Sequence, residues 1–118
     1  MPRNDPVAIP DLHDPKDLTH ANIEAAINTK SAGYYVLGSL SESKVMSVSY
    51  VGRSDDDLAG KLRRHIGNFQ AFAFAIAASA LQAYQGECKL YHALKPSKNV
   101  LHPVRKPTPE WSCPVCGH

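Results

Sequence analysis

Residues 33–38 have the sequence Gly-Tyr-Tyr-Val-Leu-Gly, and residues 45–51 have the sequence Val-Met-Ser-Val-Ser-Tyr-Val. Both stretches are rich in aromatic and β-branched side chains, which favours extended strands. The polar segment 39–44 between them predicts a turn, so the two strands are expected to pair as an antiparallel hairpin. Gly52 ends the second strand in this prediction. The hairpin is the centre of the predicted fold.

Helices are predicted before and after this hairpin in the chain. Asp17 and Thr19 are alternative N-caps for a first helix, because their side-chain oxygens can accept a hydrogen bond from an unpaired backbone N–H group. The acidic cluster at residues 54–57 predicts the start of a second helix over residues 58–65. In residues 79–94 the apolar side chains recur every three or four positions, which predicts a third helix that Pro96 ends.

One further strand completes the predicted sheet. Residues 71–76 alternate alanine with large apolar side chains, and this period of two favours a strand. A helix is the alternative, since alanine is a strong helix former. The chain of 118 residues is therefore expected to form an α/β (α+β) domain with a small three-stranded antiparallel sheet flanked by helices.

The domain is expected to have a proline-containing segment at each end. Residues 1–16 contain four prolines and predict an extended lead-in. Residues 17–100 form the predicted domain. Residues 101–118 are a proline-rich tail with a Cys-Pro-Val-Cys sequence, which is expected to pack on the domain.

Composition excludes several classes of protein. The formal net charge is +2, from 13 Lys and Arg against 11 Asp and Glu, so charge alone does not indicate a nucleic-acid partner. No apolar run approaches the roughly 20 residues that a membrane-spanning helix needs, and the N-terminal residues have no apolar signal core, so no membrane partner is expected. Three cysteines are an odd number, which does not suit a secreted disulfide framework. We expect a cytoplasmic protein.

Two tripeptides resemble the paired signature of the GIY-YIG nuclease superfamily. Gly33-Tyr34-Tyr35 is followed, after fourteen residues, by Tyr50-Val51-Gly52. The similarity continues at Leu58, Lys61 and His65, which correspond to the family's helix after the second tripeptide. It continues further at Glu87, Pro96 and Asn99, which resemble the family's acidic helix and the Asn-containing segment after it. It spans about residues 30–100. The superfamily includes homing endonucleases, some restriction enzymes and the incision subunit of bacterial nucleotide-excision repair.

The resemblance implies a divalent-metal-dependent endonuclease that hydrolyses phosphodiester bonds in DNA. Such cleavage requires an activated water, a cation over the scissile phosphate and help for the departing oxygen. The family's catalytic positions correspond to Tyr35, Tyr50 and His65, and either Tyr35 or His65 would accept the proton of the water. Arg53 lies where the family often has a basic residue facing the phosphate. Glu87 is a hard oxygen donor that suits a single Mg²⁺ or Mn²⁺.

One residue departs from the family's pattern. Lys61 stands where the family's helix carries an arginine, and lysine is a point charge that lacks the planar fork with which arginine binds phosphate. Arg64 lies three residues later on the same predicted helix face and could substitute for that arginine. Arg63 is expected to face elsewhere and to contact nucleic acid or solvent. Asn99 is a further candidate contact to nucleic acid, with a turn held by its side chain as the alternative.

The tail and the third helix together suggest a second metal site. Cys113 and Cys116, separated by two residues, could supply half of a tetrahedral zinc site. Cys88 and His92 are four residues apart and would lie on one helix face, so together the four side chains predict a structural Zn²⁺. Two other histidines are alternative fourth ligands: His102 and His118.

Two other functions are compatible with the same residues. Lys61 motivates the first, a nucleic-acid-binding module that kept the scaffold and lost catalytic strength. The second is a zinc-stapled protein-interaction domain. For the nuclease, the chain's shortness leads us to expect that specificity comes from a homodimer or from a targeting partner protein, while the choice between DNA and RNA stays open.

Overall fold

The predicted hairpin is present as two long antiparallel strands. A computed structural model of the protein describes residues 12–43, 45–94 and 114. Within them the chain is α+β, which confirms the predicted class. Its elements, in chain order, are β1 (Lys16–Asp17), α1 (His20–Ala26), β2 (Ala32–Leu40), β3 (Met46–Ser54), α2 (Leu58–Arg63), β4 (Ala71–Ala77) and α3 (Ala80–Leu94).

Within the described residues, the antiparallel sheet has four strands in the order β1-β4-β2-β3, so the prediction of three strands was wrong. The additional strand is β1, where Lys16 pairs with Phe72 and Asp17 with Ala71. Two residues are too few to show a period of two, which is why no pattern indicated this strand. Its pairing covers part of the edge of β4, where backbone groups would otherwise lack a strand partner.

The two faces of the sheet pack against different helices. Between one face of the sheet and the helices α1 and α2 lies a core of large side chains: Ile23, Tyr35, Leu37, Leu58, Leu62, Phe72 and Phe74. On the opposite face, the smaller side chains of Val36, Val51 and Ala73 pack against α3, which contributes Leu90. This division explains the alternation of residues 71–76 and confirms that they form a strand. The alternation does not predict burial at its end, because Ile76 is 49% exposed.

The helices begin where polar side chains cap them. The Thr19 hydroxyl accepts a hydrogen bond of 3.1 Å from the backbone N–H of Asn22, so Thr19 is the N-cap of α1. Asp57 caps α2 in the same way through the N–H of Gly60, also at 3.1 Å. Helix α2 ends at Arg63, before the predicted His65. Every helix in the part of the chain that the structure describes is too short or too polar to span a membrane.

The close approach of β2 and β3 at Gly38 leads to a prediction about stability. The register shifts between Leu37 and Gly38, and a Cβ atom added at Gly38 would overlap the backbone carbonyl of Ser47. Backbone cannot move aside as the end of a side chain can, so we expect Gly38→Ala to lower the free energy of unfolding by about 3 kcal/mol. Urea unfolding measures this loss. Ser39→Ala, at the exposed neighbour, is the control; equal stability of the two variants would contradict the prediction.

Candidate active site

Tyr35 and Tyr50 lie side by side on one face of the hairpin. Tyr35 pairs across the strands with Gly52, and its ring covers that glycine so closely that a Cβ atom at position 52 would lie 2.5 Å from the Tyr35 hydroxyl. The ring of Tyr50, two residues earlier on β3, has its centroid 6.4 Å from that of Tyr35. Glycine at position 52 therefore creates the space that the Tyr35 ring fills.

His65 brings an imidazole to the same two tyrosines. It follows α2, where its backbone N–H donates to the Leu62 carbonyl at 3.0 Å. Its Nε2 atom lies 3.1 Å from the Tyr35 hydroxyl, and its ring centroid is 5.4 Å from that of Tyr50. Phe69 packs against Tyr50 and His65, with its ring centroid 6.0 Å from the centroid of each. We call Tyr35, Tyr50, His65 and Phe69 the aromatic cluster.

Arg53 and Glu87 form an ion pair at the junction of β3 and α3. The Arg53 Nη1 atom lies 2.8 Å from the Glu87 Oε1 atom, and the Arg53 Nε atom lies 2.8 Å from the Asp55 Oδ1 atom. The guanidinium carbon also lies 5.2 Å from the ring centroid of Tyr84 on α3. The Arg53 and Glu87 side chains are 14% and 10% exposed, so this pair is largely withdrawn from water.

These side chains meet in one open pocket of about 260 Å³. Its lining includes two tyrosines, two cations and two carboxylates: Tyr35, Tyr50, Arg53, Lys61, Asp55 and Glu87. Of the six residues predicted as catalytic, five line the pocket, and His65 is joined to it by its contact with Tyr35. The Lys61 side chain is exposed and reaches the pocket from α2.

Burial sets the protonation of the tyrosine and histidine pair. It raises the pKa of Tyr35 well above the usual tyrosine value, and the nearby Tyr50 and Glu87 raise it further. The pKa of Tyr50 is raised by burial and then by Glu87. The pKa of His65 is lowered, first by burial and then by the positive charge of Lys61. At neutral pH Tyr35 is therefore a neutral phenol beside a neutral imidazole.

The other predicted nucleic-acid contacts lie away from this pocket. Arg63 and Arg64 are exposed at the C-terminal end of α2. Arg63 lines a second pocket of about 380 Å³, beside the end of α1, which Lys30 and Glu24 also line. Neither arginine is among the residues that line the pocket at Glu87. Asn99 lies outside the described residues.

The predicted zinc site is described only in part. Cys88 is fully buried on α3, and His92, one turn later, is half-buried with its ring centroid 5.3 Å from that of Tyr91. In the ranges that the structure describes, no three His, Cys, Asp or Glu side chains are grouped to hold a metal ion. The remaining predicted ligands lie outside those ranges, so zinc stays a prediction: His102, Cys113, Cys116 and His118.

Sequence reasoning missed three residues that shape the site. The sequence indicates Asp55 only as part of a helix-capping cluster and Tyr84 only as an apolar position of the third helix, and no pattern singles out Phe69. Asp55 and Tyr84 both contact Arg53, and Phe69 completes the aromatic cluster. The available signal was weak: Asp55 lies two positions after Arg53, which places its carboxylate within reach of the arginine.

Comparison with other proteins adds no relative. No family model matches the chain, and neither a curated protein nor a solved structure shows a significant similarity to it.

Proposed function

We propose that the protein is a divalent-metal-dependent endonuclease of the GIY-YIG type that cleaves phosphodiester bonds in DNA. One observation carries the proposal: Tyr35, Tyr50, Lys61 and Glu87, which are far apart in the sequence, line a single open pocket. The pocket combines a candidate base, a phosphate-binding cation and a metal-binding carboxylate, which are the groups that phosphodiester hydrolysis requires.

Glu87 suits a magnesium ion by the chemistry of its donor. Mg²⁺ binds oxygen, keeps several of its waters and commonly uses only one or two protein carboxylates. The Glu87 carboxylate, which lines this open pocket, provides such a donor. When bound, the cation would supply positive charge to the scissile phosphate and to the departing oxygen.

Tyr35 and His65 together can accept the proton of the attacking water. The Tyr35 hydroxyl lies 3.1 Å from Nε2 of His65, within the range of a proton transfer. A neutral His65 that carries its proton on Nδ1 can take the hydroxyl proton of Tyr35, which in turn takes the proton of the water. Because burial disfavours the phenolate, Tyr35 is a strong base once its own proton has left.

Lys61 and Arg53 are the two positively charged residues that line the pocket, and they have different roles. The Lys61 ammonium is on an exposed side chain and is free to follow a phosphate as it enters. The Arg53 guanidinium is held by Asp55 and Glu87. Lys61 is therefore the first contact for the substrate anion in this mechanism, although a lysine orients a phosphate less than an arginine does.

Plasmid nicking tests the proposal directly. The wild-type protein is expected to convert supercoiled plasmid to the open circle with Mg²⁺ or Mn²⁺ and to leave it intact in EDTA. Lys61→Arg should raise the rate by about tenfold, since a second charge-assisted hydrogen bond would hold the phosphate. Lys61→Met is the comparison and should lower the rate. The absence of nicking by the wild-type protein with either metal would contradict the proposal.

A second candidate function is a nucleic-acid-binding module without turnover. The ion pair between Arg53 and Glu87 favours it, since that contact already engages the carboxylate which the nuclease needs. Such a module would bind DNA with an affinity that falls as the salt concentration rises. The same plasmid would then be shifted in a gel at low salt and would stay supercoiled with both metals.

A further inference from the structure

Arg53 forms salt bridges to two carboxylates that differ in exposure. The Asp55 side chain is 39% exposed, and that of Glu87 is 10% exposed. The ring of Tyr84 adds a cation–π contact to the guanidinium. Asp55 and Tyr84 can therefore keep Arg53 in the pocket even if its bond to Glu87 breaks.

A divalent cation at Glu87 would meet Arg53 at the same carboxylate. The Glu87 Oε1 atom lies 2.8 Å from Nη1 of Arg53, so the guanidinium stands within hydrogen-bond distance of a prospective metal ligand. Two positive groups that share one carboxylate repel each other, and this repulsion is stronger away from water than at an exposed site. The cation can bind tightly only if the guanidinium moves.

We infer that Arg53 and the divalent cation compete for the Glu87 carboxylate, so that Arg53 weakens metal binding in the protein without substrate. The inference rests on the proposed role of Glu87 as metal ligand. When the cation takes Glu87, Arg53 stays attached to Asp55 through Nε and directs its Nη atoms to the incoming phosphate. A substrate phosphate and the metal therefore promote each other's binding, because each relieves the charge that opposes the other.

Titration of the whole chain with Mn²⁺ alone, at pH 8 and without DNA, tests this competition by calorimetry. The main variant is Arg53→Gln, whose neutral amide can still hydrogen-bond to Glu87. We expect it to bind Mn²⁺ at least about tenfold more tightly than the wild-type protein. The same variant should cut DNA more slowly, because its contact to the phosphate is lost. A structural role alone would not move the two readouts in opposite directions.

The control variant is Lys89→Gln, which removes the same charge from an exposed position on the helix that carries Glu87. It should bind Mn²⁺ and cut DNA as the wild-type protein does. The inference would be overturned if Arg53→Gln bound Mn²⁺ no more tightly than the wild-type protein. It would also be overturned if neither Arg53→Gln nor the wild-type protein bound Mn²⁺. Binding by Glu87→Gln at wild-type affinity would place the ion elsewhere and would also overturn it.

A measurement on the wild-type protein avoids dependence on the folding of a variant. In ¹⁵N spectra of the arginine side chains, added Mg²⁺ should shift the Nη signals of Arg53 while its Nε signal, held by Asp55, stays nearly in place. Saturation with Mg²⁺ that leaves the Nη signals unchanged would overturn the inference. If affinity and spectra change as expected but no DNA is cut, the proposed function fails and the competition stands.

Discussion

Glu87→Gln is expected to reduce metal-dependent nicking by roughly 1000-fold while the chain still folds. The substitution keeps the size of the side chain and its ability to accept a hydrogen bond from Arg53, and it removes the negative charge that would hold the cation. A bound cation is worth several kcal/mol of transition-state stabilisation, and each 1.36 kcal/mol corresponds to a factor of ten in rate. The loss should appear in single-turnover nicking with saturating Mg²⁺.

Asp56→Asn is the matched control for this substitution. Asp56 is an exposed acidic residue of the loop that contains Asp55, and it does not line the pocket. Asp56→Asn makes the same change from carboxylate to amide as Glu87→Gln. Its nicking rate should equal that of the wild-type protein. Circular dichroism should give the same spectrum for both variants. Wild-type rates from Glu87→Gln would remove Glu87 from the proposed mechanism.

The fold was predictable wherever a repeating pattern ran for several residues. Residues 71–76 indicated β4 through their alternation, and the structure explains it, since phenylalanines and alanines face different helices. The two-residue strand β1 was not predictable, because it is too short to show an alternation and its side chains are exposed. Pairing of this kind depends on which edge the tertiary fold leaves open, and no local pattern records that.

The pocket was predictable only through motif spacing. Tyr35, Tyr50 and Glu87 have no common periodicity, and the resemblance alone suggested that they act together; the structure places them around one pocket. The pairing of Arg53 with Asp55 and Glu87 was not predicted. Side-chain partners across two elements depend on how α3 lies against β3, which the separate patterns of the helix and the strand do not contain.

Tyr35→Phe is expected to lower the nicking rate by about 100- to 10,000-fold, the usual range for loss of general acid–base catalysis. The substitution removes only the hydroxyl that lies 3.1 Å from His65, while the ring can still fill the space above Gly52. The loss of that hydrogen bond should therefore cost only about 1 kcal/mol of stability. Tyr34→Phe is the control, because Tyr34 packs against Gly86 of α3 on the opposite face.

The pH dependence of cleavage separates a proton-transfer role of Tyr35 from a structural one. His65 must be neutral to accept the proton of Tyr35, and its pKa is lowered from 6.5 by burial and by Lys61. The wild-type rate should therefore hold as the pH falls to about 6.5 and decline only below it, as His65 becomes protonated. In His65→Ala and in Tyr35→Phe the residual activity should lack this decline. A decline of the same size and position in Tyr35→Phe would contradict proton transfer between Tyr35 and His65.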